Sequence, residues 1–214
     1  MIQKIINYLN KLIFNLEQNR LKYDIEIYDI NRSENLISIQ KLWKSYQNRG
    51  VSKYDELMNV CIFALINGRD IQFLSKNYLT TKNGNERNLF GRLLCMTIIE
   101  FLEDINSLLG KKLRVELINN NYQEFIDELK LISKDFASIK KSHNKILRKI
   151  RNNAAAHKTK NSKDLIDFTH NLEIDDLLAI SIEIMKINNR FTILSTKIIE
   201  KNSVETQKQI EKMS

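Results

Sequence analysis

Arg151 and His157 are the two side chains whose types and setting best suit phosphate chemistry in this sequence. They lie six residues apart in the run Ile150-Arg151-Asn152-Asn153-Ala154-Ala155-Ala156-His157-Lys158. Arginine offers a delocalised charge and a planar fork for phosphate oxygens. Histidine, with an unperturbed pKa near ~6.5, can move protons at neutral pH. Three consecutive alanines before the histidine leave room for another backbone or a ligand, so we take this run as the candidate site.

Positive charge is concentrated around this run. The chain carries 34 Lys and Arg against 26 Asp and Glu, a net charge of +8. Nine of the basic residues lie between Lys140 and Lys163, where there is no acid, so the remainder is close to neutral. Such a patch predicts a polyanionic partner, which could be RNA, DNA or anionic lipid. An ordinary solvated helix face would produce the same pattern without a partner.

A helix must position the candidate site. Apolar or aromatic side chains and one histidine repeat at spacings of four and three, which predicts one helix face turned towards other helices: Phe125, Leu129, Ile132, Phe136, Ile139, His143, Ile146 and Ile150. We call this series the apolar stripe. Extended further, it passes through Asn153, or Ala154 as the register drifts, and reaches His157. His143 lies on the stripe and fits a core or interface role better than a catalytic one.

The spacing of Arg151 and His157 restricts how they can act. On an ideal helix, residues six apart point about 120° apart and are separated by ~9 Å along the axis. They cannot both bind one phosphate from a straight, isolated helix. Either the helix opens between Asn153 and Ala156, or two protomers contribute to a composite site. The second alternative predicts that a monomer is inactive.

The whole chain is predicted to be all-α. It has 43% apolar residues, no proline and only 5 glycines among 214 residues, which favours a real core and long helices over a turn-rich β fold. Residues 23–30 fit a helix or a strand, and we favour the helix. Turn-forming residues near 80–85 mark a boundary between an N-terminal helical region, 1–80, and a helical domain, 86–200. A polar tail, 201–214, follows.

Helix boundaries are predicted from capping residues and turn formers. The expected helices are an amphipathic one over 2–16, one from Ser33 to near Gly50, one that begins at a capping box of Ser52 and Asp55 and ends near Leu79, a central one from Glu86 to Leu109 stopped by Gly110, the striped helix, and a last one over 173–200.

Several classes of protein are disfavoured by the sequence. Cys61 and Cys95 lie in apolar runs without any metal-ligand spacing, as expected of reduced core thiols in a cytoplasmic protein. No uninterrupted apolar run approaches the ~18 residues of a membrane span, and the N-terminus lacks the features of a signal peptide. We therefore expect no membrane association, no metal and no cofactor.

The run from Arg151 to His157, followed by Lys158, resembles the signature of the HEPN superfamily (higher eukaryotes and prokaryotes nucleotide-binding), in which an arginine is followed after a short spacer by a histidine. It looks especially like the abortive-infection branch, whose helix has a polar residue after the arginine and an alanine before the histidine. Three earlier stretches, 92–94, 99–105 and 109–114, also look like the first helix of such domains. The resemblance covers roughly residues 86–200.

This resemblance implies a helical bundle of HEPN type that usually dimerises, with an N-terminal helical extension here. It implies metal-independent RNA cleavage, in which the ribose 2′-hydroxyl attacks the adjacent phosphate and leaves a 2′,3′-cyclic phosphate. Arg151 would stabilise the transition state, His157 would act as general acid or base or position the phosphate, and Asn152 would orient either. An acid on the first helix could contact this pair, and Glu100 is preferred over Glu103 and Asp104. The basic residues would bind RNA: Lys140, Lys141, Lys145, Arg148, Lys149, Lys158 and Lys160.

Three functional hypotheses follow. The first is a ribonuclease acting as a toxin or an abortive-infection effector in phage defence, with an antitoxin or another defence-system protein as a candidate partner. The second is a non-catalytic HEPN-like module that binds RNA or serves as a dimerisation scaffold. The third is a helical protein that binds DNA or an anionic membrane, which no helix-turn-helix signature and no exposed aromatic face supports.

Overall fold

In the described part of the chain the fold is built from six helices and one short 3₁₀ turn. The computed structural model describes residues 33–154 and 175–213, with side chains for 33–149 and 176–204. Within these ranges every regular element is helical, which confirms the all-α prediction. The elements are α1 over 33–48, α2 over Asp55–Thr80, α3 over Gly84–Leu108, α4 over Lys111–Asn119, a 3₁₀ turn over Gln123–Phe125, α5 over Ile126–Ala154 and α6 over Asp175–Met213.

Helices α2, α3, α5 and α6 form an antiparallel four-helix bundle. Phe101 of α3 stacks on Phe63 of α2 with ring centroids 5.9 Å apart, and meets Phe136 of α5 edge-on at 5.3 Å. Nearer the α2–α3 turn, the Arg87 guanidinium lies 4.6 Å from the ring centre of Tyr78. Residues 63 and 78 of α2 thus meet residues 101 and 87 of α3, so these two helices form a hairpin. Cys95 of α3 lies against Leu147, further along α5 than Phe136, so α5 runs antiparallel to α3.

Ion pairs fix the register of α5 against α6. Glu128 pairs with Lys197 and Asp135 with Arg190, and Glu124 of the preceding 3₁₀ turn pairs with Lys201. The imidazole of His143 lies 3.6 Å from the carboxylate of Glu183. From residue 124 to residue 143 the position of the partner on α6 falls from 201 to 183, so the two helices run antiparallel. The C-terminal end of α5 therefore lies beside the start of α6, at the same end of the bundle as the α2–α3 turn. Such half-exposed pairs contribute only about 0.2–1 kcal/mol each, so they select the register more than they stabilise it.

One apolar core joins the helices on both sides of the predicted boundary at 80–85. Buried side chains of α2, including Leu57 and Ile71, belong to the same cluster as Leu102 of α3 and Phe191 of α6. The polar segment between α2 and α3 is thus a short connection inside one bundle. Residues 1–32, including the amphipathic pattern over 2–16 and the ambiguous segment 23–30, lie outside the described residues.

Helix α1 packs against the end of the bundle opposite the α2–α3 turn. The indole Nε1 of Trp43 donates a 2.7 Å hydrogen bond to Asp55, and the Tyr46 hydroxyl accepts one of 2.7 Å from the amide of Asn202. Asn202 also accepts from the hydroxyl of buried Tyr54. As predicted, the helix ends just before Gly50. The backbone of Gly50 has a positive φ of 69°.

The predicted capping box at the start of α2 is wrong. Tyr54 occupies the N-cap position without a side-chain cap, and Asp55 is engaged by Trp43. The carboxylate of Glu116 on α4 instead accepts hydrogen bonds from the backbone N–H groups of Glu56 and Leu57, at 2.7 and 2.9 Å. A helix N-terminus needs acceptors for its free N–H groups, and here a distant helix supplies them.

The last helix is longer than predicted. It continues past Glu200 to Met213, through the segment expected to be a polar tail. This segment is rich in Gln, Glu and Lys, which favour helix even where no apolar periodicity marks one. Contacts of Lys201 and Asn202 with other elements also support the helix beyond residue 200. The α3 prediction, by contrast, is confirmed, since α3 ends at Leu108 and Gly110 follows as the N-cap of α4.

Helix α2 is long and apolar enough, on length and composition alone, to cross a membrane. Half of the apolar window, 50%, is buried inside the bundle, as expected of a helix that contributes to a protein core.

Candidate nucleic-acid interface

The solvent-facing side of α5 carries the basic side chains predicted to bind RNA. Lys140, Lys141, Lys145, Arg148 and Lys149 are all exposed, as their positions off the apolar stripe require. Within 140–149 no acidic residue interrupts them. The described part of the basic segment is therefore a continuous cationic surface, which we call the α5 cationic face.

This face leads to the position of the predicted catalytic arginine. Arg151 and Asn152 lie in the last turn of α5, which is helical through Ala154. The helix therefore does not open at Asn153 or Ala154. Of the predicted opening between Asn153 and Ala156, only residues 155 and 156 are left. His157, Lys158 and Lys160 lie outside the described residues, so their assigned roles stay predictions.

The apolar stripe is confirmed along most of α5 and drifts at its end. Leu129, Ile132, Phe136 and Ile139 are buried, whereas Ile146 is half-buried and its neighbour Leu147 is 4% exposed. Leu147 lies eighteen residues, or five full turns, after Leu129, so a straight helix places both on one line. A strict seven-residue repeat drifts by about 20° per repeat relative to such a helix. The predicted stripe therefore lies one residue too early at Ile146. Counted seven residues on from Leu147, the stripe reaches Ala154 rather than Asn153.

A small groove separates α3 and α5 beside the cationic face. Its volume is about 150 Å³. Three buried side chains, Ile99 and Leu102 from α3 and Leu147 from α5, form its apolar floor. The sequence could not reveal this groove, because it depends on how the two helices pack.

Polar side chains form the rim of the groove. Lys140, Asn144 and Arg148 come from α5, and Glu103 comes from α3. The three α5 residues are spaced by four, so they line one side of the helix over about 12 Å. Two of the predicted RNA-binding residues are thereby brought together with an acid and an amide.

The antiparallel register argues against Glu100 as the acid that contacts Arg151 within one protomer. Cys95 lies against Leu147, its thiol 4.0 Å from the carbonyl oxygen, and Phe101 contacts Phe136. Glu100 is therefore at the height of residues near 140, about 16 Å along α5 from position 151. Glu100 is also exposed and outside the groove, whereas Glu103 lines it. The role assigned to Glu100 stays a prediction, and Glu103 is the acid that lines the groove with Lys140 and Arg148.

Arg92 is a candidate that the sequence prediction did not assign to the site. It lies three residues before Cys95 on α3, which places it at the height of the last turns of α5. Its Nε atom is buried and has no hydrogen-bond partner in the described part of the chain. A buried guanidinium nitrogen without an acceptor is costly.

The remaining candidates have structural roles. His143 is 25% exposed and lies 3.6 Å from Glu183 across the α5–α6 seam, as expected of an interface histidine. Cys61 and Cys95 are free and buried, and burial raises the pKa of both thiols to about 12, so neither is a reactive thiolate. Among the residues that the structure describes, no three His, Cys, Asp or Glu side chains form a group that could hold a metal ion.

Comparisons with protein-family models, with curated proteins and with solved structures find no match to this chain.

Proposed function

We propose that this chain is a metal-independent endoribonuclease that acts as a homodimer. The observation that carries the proposal is the α5 cationic face, five exposed basic residues that lead along one helix to the last turn, where Arg151 lies. Phosphate neutralisation by Lys and Arg supplies most of the affinity for nucleic acids. A row of cations that ends at an arginine suits a strand whose phosphates must be brought to a reactive group.

The chemistry proposed is attack of a ribose 2′-hydroxyl on the adjacent phosphate. The O–P bond formed gives a 2′,3′-cyclic phosphate, and the broken P–O bond leaves a 5′-hydroxyl on the other product. Arg151 stabilises the extra negative charge of the transition state. His157 acts as general base on the 2′-hydroxyl proton or as general acid towards the leaving 5′-oxygen, or it positions the phosphate. Loss of one such electrostatic contact costs about 10²-fold or more in rate. A role as a toxin or phage-defence effector is part of this proposal and rests on the resemblance alone.

The decisive experiment incubates purified protein with RNA in EDTA. The wild type should release fragments ending in 2′,3′-cyclic phosphate, and Arg151→Ala/His157→Ala should lose at least about 10²-fold of the rate. The matched control is Arg190→Ala/His143→Ala, which removes the same residue types from ion pairs of the α5–α6 seam and should keep the activity. Equal cleavage by wild type and the first variant, or no cleavage by wild type, would rule the proposal out.

The alternative is a non-catalytic HEPN-like module that binds RNA or acts as a scaffold. The same cationic face favours it, since binding alone needs no histidine. It predicts salt-dependent RNA binding without cyclic phosphate ends, and the same assay therefore separates the two.

A further inference from the structure

We propose that α1, residues 33–48, is a detachable strap, which leaves the bundle as a unit while the other described helices stay folded. Its release uncovers the surface of α2 and α6 on which it lies. The strap is attached at the end of the bundle opposite Arg151, so this inference does not depend on the proposed ribonuclease activity. Local opening of this kind is expected of an element with few buried apolar contacts.

The burial of α1 is the first observation that supports the strap. No side chain of residues 33–48 is fully buried. The large apolar and aromatic side chains of this helix are all half-buried or exposed: Leu36, Ile37, Ile39, Leu42, Trp43 and Tyr46. Even the nine-residue helix α4 has two fully buried leucines, Leu113 and Leu117. Because burial of apolar surface is the main force that holds a helix in a bundle, α1 is held less firmly than the helices around it.

The packing beneath the first half of α1 is incomplete. A cavity of about 140 Å³ separates Asn35, Ser38 and Ile39 of α1 from the bundle. On the bundle side its lining includes Cys61 of α2 and Ser195 of α6. Atoms on either side of such a gap lose the dispersion contacts that close packing would give them. The first half of α1 therefore contributes little to its own attachment.

Two hydrogen bonds hold the second half of α1. The indole of Trp43 donates to Asp55, and the hydroxyl of Tyr46 accepts from the amide of Asn202, both at 2.7 Å. Asn202 keeps its hydrogen bond from the hydroxyl of Tyr54 when α1 leaves, because Tyr54 belongs to the bundle. Water can replace the two bonds that are broken, so their net contribution is small. The attachment is thus weak enough to open without unfolding the core.

Trp43 provides a direct readout, because it is the only tryptophan of the chain. Its fluorescence reports the docking of α1, whereas far-UV circular dichroism reports the helices of the whole bundle. In a urea titration of the full-length protein, the fluorescence transition should come at lower urea than the dichroism transition. It should also have a smaller slope, since less surface is exposed. Coincident transitions with equal slopes would overturn the inference.

The two cysteines give a second and independent readout. Cys61 lines the cavity beneath α1, whereas the thiol of Cys95 lies 4.0 Å from the carbonyl oxygen of Leu147, between α3 and α5. Both thiols are buried, so each reacts only when an opening exposes it. Without denaturant, Cys61 should react with a thiol reagent at least about tenfold faster than Cys95, as followed by mass spectrometry of the labelled peptides. Equal rates would contradict a separate opening of α1.

A conservative substitution links the opening to the contacts of α1. Tyr46→Phe removes the acceptor of Asn202 and should raise the labelling rate of Cys61 by about 2- to 10-fold, with no change at Cys95. The matched control is Tyr122→Phe, which removes a hydroxyl 3.4 Å from that of Tyr54 inside the bundle. It should leave the ratio of the two labelling rates unchanged. A Tyr46→Phe variant that accelerates both thiols equally would show that α1 opens only when the whole bundle unfolds.

Discussion

Glu116 shows how one side chain can connect two distant parts of the chain. It lies on α4 and accepts hydrogen bonds from the first N–H groups of α2. Burial raises the pKa of the Glu116 carboxyl above its ordinary value of 4.5, and the two hydrogen bonds offset this only in part. The nearby carboxylates of Glu56 and Asp55 add to the rise. The capping interaction is therefore formed by a group whose charge is unfavourable in the folded protein.

Replacing Glu116 should affect both stability and its pH dependence. Glu116→Ala should lower the free energy of unfolding by about 1–2 kcal/mol, because two helix N–H groups lose their acceptor. A pKa that is higher in the folded state means that the folded protein binds the proton more tightly. The stabilisation that this proton binding contributes is therefore complete below pH 4.5, the ordinary pKa, and is lost as the pH rises through the higher pKa of the folded state.

Urea denaturation of the wild type and of Glu116→Gln at a series of pH values, from about 4 to about 7, measures this pH dependence. The stability of the wild type relative to the variant should fall as the pH rises, since glutamine does not titrate. A difference that stays constant or grows with pH would contradict the assignment.

At the scale of elements, Gly110 determines how closely α4 follows α3. A Cβ atom at this position would lie 2.6 Å from the carbonyl oxygen of Ser107, which is backbone and cannot move aside easily. Gly110→Ala should therefore destabilise the protein by about 1–3 kcal/mol.

Gly84 provides the matched control for that substitution. It is the first residue of α3, and a Cβ there meets nothing within 4 Å. Gly84→Ala should be neutral or stabilise by up to about 1 kcal/mol, because alanine has less freedom to lose on folding. Thermal or chemical denaturation of both variants checks the contrast, and equal effects would show that the close approach at Gly110 is not the cause.

The α5 cationic face makes a separate prediction about RNA binding. Lys141→Gln and Lys145→Gln should each weaken binding for all sequences and reduce the slope of log affinity against log salt by about 1. Lys197 of α6 lies away from this face and pairs with Glu128, so Lys197→Gln is the control and should leave the slope unchanged. Fluorescence anisotropy with a labelled single-stranded RNA over a salt series measures this, and an unchanged slope in the α5 variants would exclude the face as the binding surface.

At the scale of the whole molecule, the proposed composite site can be tested by complementation. Suppose that Arg151 of one protomer acts with His157 of the other. A dimer of one Arg151→Ala protomer and one His157→Ala protomer then contains one intact site. Mixing the two inactive single variants should then restore RNA cleavage to, at most, about a quarter of the wild-type rate. With random pairing about half of the dimers are mixed, and each mixed dimer has one intact site out of two.

The control for complementation is each single variant alone at the same total concentration, which should stay inactive. Absence of activity in a mixture shown by size and mass to contain mixed dimers would contradict the composite site and favour a site within one chain.

The sequence by itself determined the helices and the basic segment. Scarce glycine, absent proline and the apolar stripe from Leu129 to Ile139 predict helices correctly, because periodicity and propensity act over a few turns. The cluster of positive charge around Arg151 is equally local. The same local signals failed at the end of α5, where the buried residue is Leu147 rather than Ile146, since a heptad pattern slips against a straight helix.

Only the tertiary structure decided which residues of different helices meet. It placed Glu103 rather than Glu100 in the groove, and assigned the α2 cap to Glu116 rather than to Ser52 and Asp55. The heights of two packed helices depend on side chains along both of them, such as the contact of Phe101 with Phe136. No short window of sequence contains that information, and so the groove beside the cationic face emerges only when α3 and α5 are packed together.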